Sequence, residues 1–366
     1  MPKLEGLRKP FRPDGQALID NIARKGTPRR VHNMELFHDP EVRAAIIERF
    51  DLDKGLNPND PDYGRKLFVA FHRFLGFDYV YTAPSGQNWP FFGASTQDTG
   101  DVSELSRGDR HYRDEHVGPI ANREDFEKYP WPDPNAPELT SDIEWWNKNL
   151  PDDMCLVVWG IGHFCEHLSW LLGYETLCYT LYDDRGLVKA IADRLCEYYE
   201  AVNRRILEFE RVSILFPSDD MGYRGGTLIS PDDTREFCLP GHKMTVRMAH
   251  DAGRLCVLHS CGNLESIIDD LVDDCKIDAK HSFEDTIEDV REAKKTYGRK
   301  TALIGGIDVD FLCRSDEKAI RKRVRETLDT CQAGGGYCLG TGNSVANYIP
   351  LHNYLAMVDE GRLYGG

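Results

Sequence analysis

The sequence predicts an α/β chain folded as a (β/α)8 TIM barrel, on three observations. Eight short apolar runs recur along its 366 residues, amphipathic stretches separate them, and one long insertion interrupts the alternation after the second run. The runs are VHNMELF (31–37), FDYVYTA (77–83), CLVVWGIG (155–162), VSILFPSDD (212–220), RLCVLHSC (254–261), IDAKHSF (277–283), TALIGGID (301–308) and GGGYCLGT (334–341). Each has the length and the β-branched or aromatic content of a buried parallel strand.

Several intervening stretches carry helix signals. DPEVRAAIIERF opens with Asp39 as a cap and a proline at the first helical position. GLVKAIADRLCEYYEAVNRRILEFE places Leu187, Ile191, Leu195 and Tyr199 four residues apart, on one slowly drifting face. SPDDTREFCLPGHKMTVRMAHDAG opens at Ser230-Pro231, and SDEKAIRKRVRETLDTCQAGG opens at Ser315 and ends in glycines. No linker divides the chain, so residues 1–366 are expected to form a single barrel domain. Residues 84–150, rich in Pro, Trp, Gly and Asp, are expected to form an inserted lid or hairpin rather than a linker. Within them RGDRHYRDEHVG balances Arg107, Arg110 and Arg113 with acids and reads as a salt-bridged hairpin.

Composition excludes several functions. The net charge of −16 repels phosphate backbones and anionic membranes, and no basic stripe offsets it, so neither nucleic acid nor membrane is an expected partner. No run reaches the roughly 18 apolar residues of a membrane span. The N-terminus lacks a signal-peptide core, and 11 cysteines follow no disulfide framework. A cytoplasmic protein with reduced thiols is the expectation, its assembly open between monomer and homodimer.

In such barrels the chemistry collects at the C-terminal ends of the strands. The fifth run ends in His259 and Cys261, the sixth is followed by Glu284, and the eighth carries Cys338. One imidazole, two thiols and a carboxylate on one rim would suit Zn2+, which takes mixed N, S and O ligands in a tetrahedral shell. Ser260 lies between the first two and should point away from the metal, because side chains alternate along a strand. The fourth run ends in Asp219-Asp220-Met221-Gly222-Tyr223-Arg224. Asp219, Asp220 and Tyr223 are therefore catalytic candidates for orienting a substrate or moving a proton. Tyr81, Trp89, Phe91, Phe92, Arg224 and Asn343 are candidates for substrate contact, the aromatic ones as a wall around an apolar ligand.

The stretches SDDMGY, LISPDDTREFCLPGHK, HSCGN, GGID and LGTGNSVANYIPLHNY resemble the uroporphyrinogen decarboxylase superfamily of (β/α)8 barrels, over about residue 15 to the end. Its decarboxylases hold a polycarboxylate with an N-terminal arginine-rich motif. The first strand here, VHNMELFHD, has no arginine. The other branch comprises zinc-dependent methyltransferases that work with corrinoid proteins, with a His-x-Cys motif and a distant cysteine. His259, Cys261 and Cys338 match that motif, and Glu284 fits the intervening carboxylate. The resemblance thus implies a zinc enzyme that moves a methyl group between a small molecule and a separate corrinoid protein. The aromatic insert favours a methoxylated aromatic, which makes the reaction an O-demethylation. The chain has no corrinoid-binding signature, so the cobalamin would arrive on the partner. Two rival readings are a metal-free decarboxylase or lyase using Asp219, Asp220 and Arg224, and a non-catalytic scaffold for a corrinoid partner.

Overall fold

The computed structural model describes residues 4–87, 89–90, 96–113 and 116–366. Twelve strands follow in chain order. They are His32–Asn33 (β1), Tyr79–Thr82 (β2), Thr96–Gly100 (β3), Asp109–Arg113 (β4), Cys155–Trp159 (β5), Val212–Phe216 (β6), Gly222–Tyr223 (β7), Gly226–Thr227 (β8), Leu255–His259 (β9), Ala279–His281 (β10), Ala302–Ile304 (β11) and Tyr337–Leu339 (β12). Eight of them make one parallel sheet in the order β1-β12-β11-β10-β9-β6-β5-β2. Each of the eight lies inside one of the eight apolar runs. A parallel bridge between Asn33 and Phe77 links the two edges, so the sheet curls back on itself in TIM-like fashion.

Strand alternation divides the side chains between two cores. Leu156 and Val158 of β5 join the apolar cluster that also holds Leu168, Leu195 and Val246 from the helices. Cys155 and Val157 join a second cluster with Tyr79, Ile214, Phe216 and Val257. Both faces of these strands are therefore dry, which is why their sequences read as continuous apolar runs rather than alternating ones.

The helices follow the sequence signals, with two differences. Arg185–Ile206 buries Leu187, Ile191, Leu195 and Tyr199, and the Asp184 carboxylate caps it by accepting from the Leu187 N–H. Pro40–Arg49 begins where expected, but Asp39 makes no capping bond. Its Oδ2 instead accepts from the Asn347 N–H at 2.9 Å and from Arg107 at 2.5 Å. The stretch opening at Ser230 forms two helices, Pro231–Phe237 and Leu239–Asp251. Pro240 has no N–H to give to the carbonyl four residues back, so the first helix stops and the second restarts with that proline in its opening turn.

In the insert, β3 and β4 pair antiparallel as a hairpin, in register from Thr96–Arg113 to Gly100–Asp109. Helices Arg123–Lys128 and Ser141–Asn149 follow it. The hairpin is tied to the rest by polar groups. Asn347 Nδ2 donates to Asp101 Oδ2 at 2.6 Å and to the Leu105 carbonyl at 2.7 Å, while Arg107 also meets Glu41 at 3.1 Å. Phe91 and Phe92, expected to contact substrate, lie outside the described residues. Among the described residues no helix is long and apolar enough to cross a membrane.

One buried carboxyl joins the first and last strands. Glu35, 2% exposed after β1, accepts from the Thr341 amide at 2.9 Å and from the Thr341 hydroxyl at 2.6 Å. Burial pushes its carboxyl up to about 8, against those two hydrogen bonds. The folded state therefore keeps Glu35 protonated over a range where the unfolded chain ionises it. Stability is full below the unfolded value of 4.5 and falls as pH rises toward 8, by up to about 1.4 kcal/mol per pH unit. Glu35→Gln cannot ionise and lacks this slope. Urea unfolding at about pH 5 and about pH 8 should show the variant gaining on the parent at the higher pH. Parallel behaviour at both would contradict the account.

Candidate metal centre

The C-terminal ends of β6 and β9 lie side by side, joined by a parallel bridge between Ser218 and His259. Asp219 and Asp220 leave the sheet just beyond that bridge. Gly262 lets the two backbones approach closely. At φ +87° a Cβ there would stand 2.1 Å from the Gly222 carbonyl carbon, so only glycine fits. The Asp220 carboxylate then accepts from the Cys261 N–H at 2.9 Å, which turns both side chains toward His259.

Asp220, His259 and Cys261 each present one donor atom, all within 4.8 Å of one another. His259 Nε2 lies 3.4 Å from Cys261 Sγ and 3.4 Å from Asp220 Oδ1. Two ligands bound tetrahedrally to zinc at about 2.0–2.3 Å stand about 3.3–3.6 Å apart, and the two spacings from His259 fall in that range. The donor set, one N, one O and one S, suits the same ion.

Neighbouring groups hold the donors in place. His281 is paired in register with His259, and their Nδ1 atoms approach to 2.7 Å. Burial, then the charge of His259, pushes the His281 imidazole well below its ordinary range, so it is neutral. A metal on His259 Nε2 leaves the ring's proton on Nδ1, which donates to His281 Nδ1. The second proton then sits on His281 Nε2, a buried nitrogen with no hydrogen-bond partner of good geometry. Asn343 Nδ2 donates to Cys261 Sγ at 3.2 Å, and the Ser282 hydroxyl stands 3.8 Å from the same sulfur. Burial alone would raise the Asp220 carboxyl, but the hydrogen bond and charge of His259 outweigh it and hold it at about 2. Burial, then the Asp220 carboxylate, pushes the Cys261 thiol far up. A divalent cation would reverse that order, because it binds the thiolate.

The expected ligand set is thus only partly assembled. Cys338 is not a member of the group. Its sulfur accepts from Asn21 Nδ2 at 3.4 Å, in a helix, Gly15–Ile22, whose contacts are with residues preceding the strands. Gly15 binds Asp153 just before β5, and Asn21 binds Gly336 just before β12. Cys338 therefore faces the opposite end of the curled sheet, where it pairs in register with His32, the first residue of β1. Glu284 is half-buried on the loop after β10 and also stands outside the group. Burial, then Asp308 and Asp220, raises its carboxyl. Asp220 is the carboxylate in the group, whereas the sequence suggested it for substrate or proton transfer.

Asp219 also has a different role from the expected one. It is fully buried, and its oxygens accept from the Cys165 and Glu166 amides, both at 2.9 Å, and meet His242 Nε2 at 2.8 Å. It secures the first turn of the helix Phe164–Leu172. Tyr223 is 56% exposed on the small β7–β8 ribbon, with exposed Arg224 at its turn. Tyr81 packs edge-on against Trp159 at 5.9 Å, and Phe37 lies 5.5 Å from the same indole. Trp89 packs against Tyr198, His167 and Trp131 among the helices. Ser260 turns away from the donors, as alternation required, and its hydroxyl accepts from the Met221 N–H at 3.1 Å. Sequence reasoning missed the supporting roles of His281 and Ser282. The sequence offered only their place at the end of the run IDAKHSF, the next after RLCVLHSC along the chain.

A family model described as uroporphyrinogen decarboxylase (URO-D) matches residues 115–364. Among solved structures, a methyltransferase from Methanosarcina mazei superposes with a TM-score of 0.67 at 16% identity, covering 97% of this chain and 100% of that one. A chain described as a vitamin-B12 independent methionine synthase from Listeria monocytogenes gives a TM-score of 0.49 at 12% identity, covering 93% and 98%. The first of these likenesses bears on the fold. No curated protein matches the sequence.

Asp219→Ala removes three hydrogen bonds, two of them fully buried, and none of the donor atoms. It should lower unfolding stability by about 3 kcal/mol or more, measured in urea. A loss under about 1 kcal/mol would show that the anchor is dispensable.

Proposed function

The chain belongs to the uroporphyrinogen decarboxylase family, and from that premise we propose that it is a zinc-dependent methyltransferase. It moves a methyl group between a small molecule and a corrinoid carried by a separate protein. The observation that carries this reading is the convergence of Asp220, His259 and Cys261 at the C-terminal end of the sheet. The fold it shares with the Methanosarcina mazei methyltransferase supports it.

Asp220, His259 and Cys261 would hold the ion, with the fourth position left to substrate. Bound there, zinc supplies a Lewis acid that polarises a methyl-ether oxygen or keeps a substrate thiol as its thiolate. His281 fixes the His259 ring so that Nε2 faces the ion, and Asn343 and Ser282 direct hydrogen bonds at the Cys261 sulfur. Tyr81, Trp159 and Phe37 form an aromatic wall at the ends of the first, second and third runs, which favours a methoxylated aromatic as substrate. The insert, with its hairpin β3–β4, serves as a lid over this end. A metal-free decarboxylase built on Asp219, Asp220 and Arg224 has less support, because Asp219 is spent on the helix and Arg224 is exposed on the ribbon.

Metal analysis of the purified chain should find about one zinc per molecule, lost in Cys261→Ser and in His259→Ala and kept in Cys338→Ser. Stoichiometric zinc in Cys261→Ser would overturn the site. His281→Phe, which removes the partner of His259 Nδ1, should weaken zinc binding by about 10–100-fold in a competition titration. The reaction itself is read from cobalamin spectra of a corrinoid protein mixed with this chain and a panel of methyl ethers, methylamines and thiols. No methyl transfer to or from cobalt with any of them would reject the assignment.

A further inference from the structure

A cavity of about 310 Å3 lies beside the loops that follow β9 and β10. Lys280 lines it. On β10 its neighbour His281 turns inward to His259, so Lys280 leaves the outer face of the sheet. The residue is 3% exposed. Its ammonium donates to the Ser282 carbonyl at 2.6 Å and stands 4.0 Å from the centre of the Phe283 ring.

An ammonium has three donors, and among the described residues this one has a single hydrogen-bond acceptor and no ion pair. Glu288 lines the same cavity, but its carboxylate accepts from the Tyr297 hydroxyl at 2.6 Å. A buried cation without a paired anion is costly. Burial brings Lys280 down to about 8, against the opposing pull of Glu288, Cys261 and Glu284. The lining therefore contains one under-used cation at depth, acids at Glu265, Glu284 and Glu288, and apolar wall from Leu264 and Ile268. A simple anion would satisfy Lys280 but meet the acids. A molecule carrying both charges satisfies both.

We propose that this cavity binds a small zwitterion of amino-acid type, with its carboxylate on Lys280 and its ammonium toward Glu284 and Glu265. A short aliphatic part rests on Leu264 and Ile268. The site is distinct from the metal-donor group, and the proposal does not depend on the methyl-transfer reading. The two places adjoin through Ser282, whose carbonyl holds Lys280 and whose hydroxyl faces the Cys261 sulfur.

Calorimetric titration of the full chain with alanine, valine and N-methylglycine tests this, with propionate and ethylamine as half-ligands. At least one zwitterion should bind, and each half-ligand should bind about tenfold or more weakly. Lys280→Met should lose the zwitterion by at least about tenfold. Where that variant fails to fold, Glu284→Gln, at a half-buried position, carries the test. It should weaken the zwitterion and leave propionate bound as well as before or better, because one repelling carboxylate is gone. No binding by any zwitterion, propionate binding as tightly as the zwitterion, or full affinity in either variant would overturn the proposal.

Discussion

The donor group depends on three neighbouring parallel strands ending level with one another. Register pairs His281 of β10 with His259 of β9, and a bridge pairs His259 with Ser218 just beyond β6. A slip of one residue in β10 would turn His281 outward and bring Lys280 to the His259 ring. The same register sets Asp220 against the Cys261 amide, and the glycine at 262 permits the contact. Side chains from three separated stretches of sequence are thus placed by backbone hydrogen bonding before any of them bonds to another.

The electrostatics of the group follow the acidic character of the chain. The molecule carries net charge −16, and at this point it places an ionised carboxylate beside a protonated thiol and two imidazoles, of which His281 is neutral. Left alone, the sulfur keeps its proton because of burial and Asp220. A divalent cation converts both influences into attraction. An acidic protein attracts such cations by its general field, but selectivity comes from the mixed N, O and S donors and their spacing.

The sheet was legible because all eight strands lie within short, largely apolar runs and are mostly buried, and that pattern does not depend on long-range detail. His259 and Cys261 were legible for a related reason: they end one run, so strand geometry alone puts them on one face and one rim. Cys338 misled because a run identifies a strand without fixing how far along the curl each residue stands. It sits mid-strand, and Asn21 marks its end of the sheet as the far one. Asp219 and Asp220 are neighbours in sequence with unlike roles, one sealed against a helix start and the other among the donors. Their alternation across the turn decided this, and composition carries no trace of it. The break at Cys238 was readable in advance from Pro240, whereas the pairing of His281 with His259 required knowing which strands are adjacent.

The hairpin in the insert is fastened to the strand ends through Asp39, Asn347, Asp101 and Arg107, by amides and charges. Of these, the partly exposed Arg107 ion pairs weaken as salt rises, whereas the buried Asn347 and Asp101 groups do not. Apolar packing of equal extent would resist separation because each newly exposed surface must be hydrated at a loss. The fastening is therefore of two kinds: Leu105 anchors the hairpin to the apolar core, while the Arg107 ion pairs make its seating responsive to ionic strength and to any charged surface pressed against it.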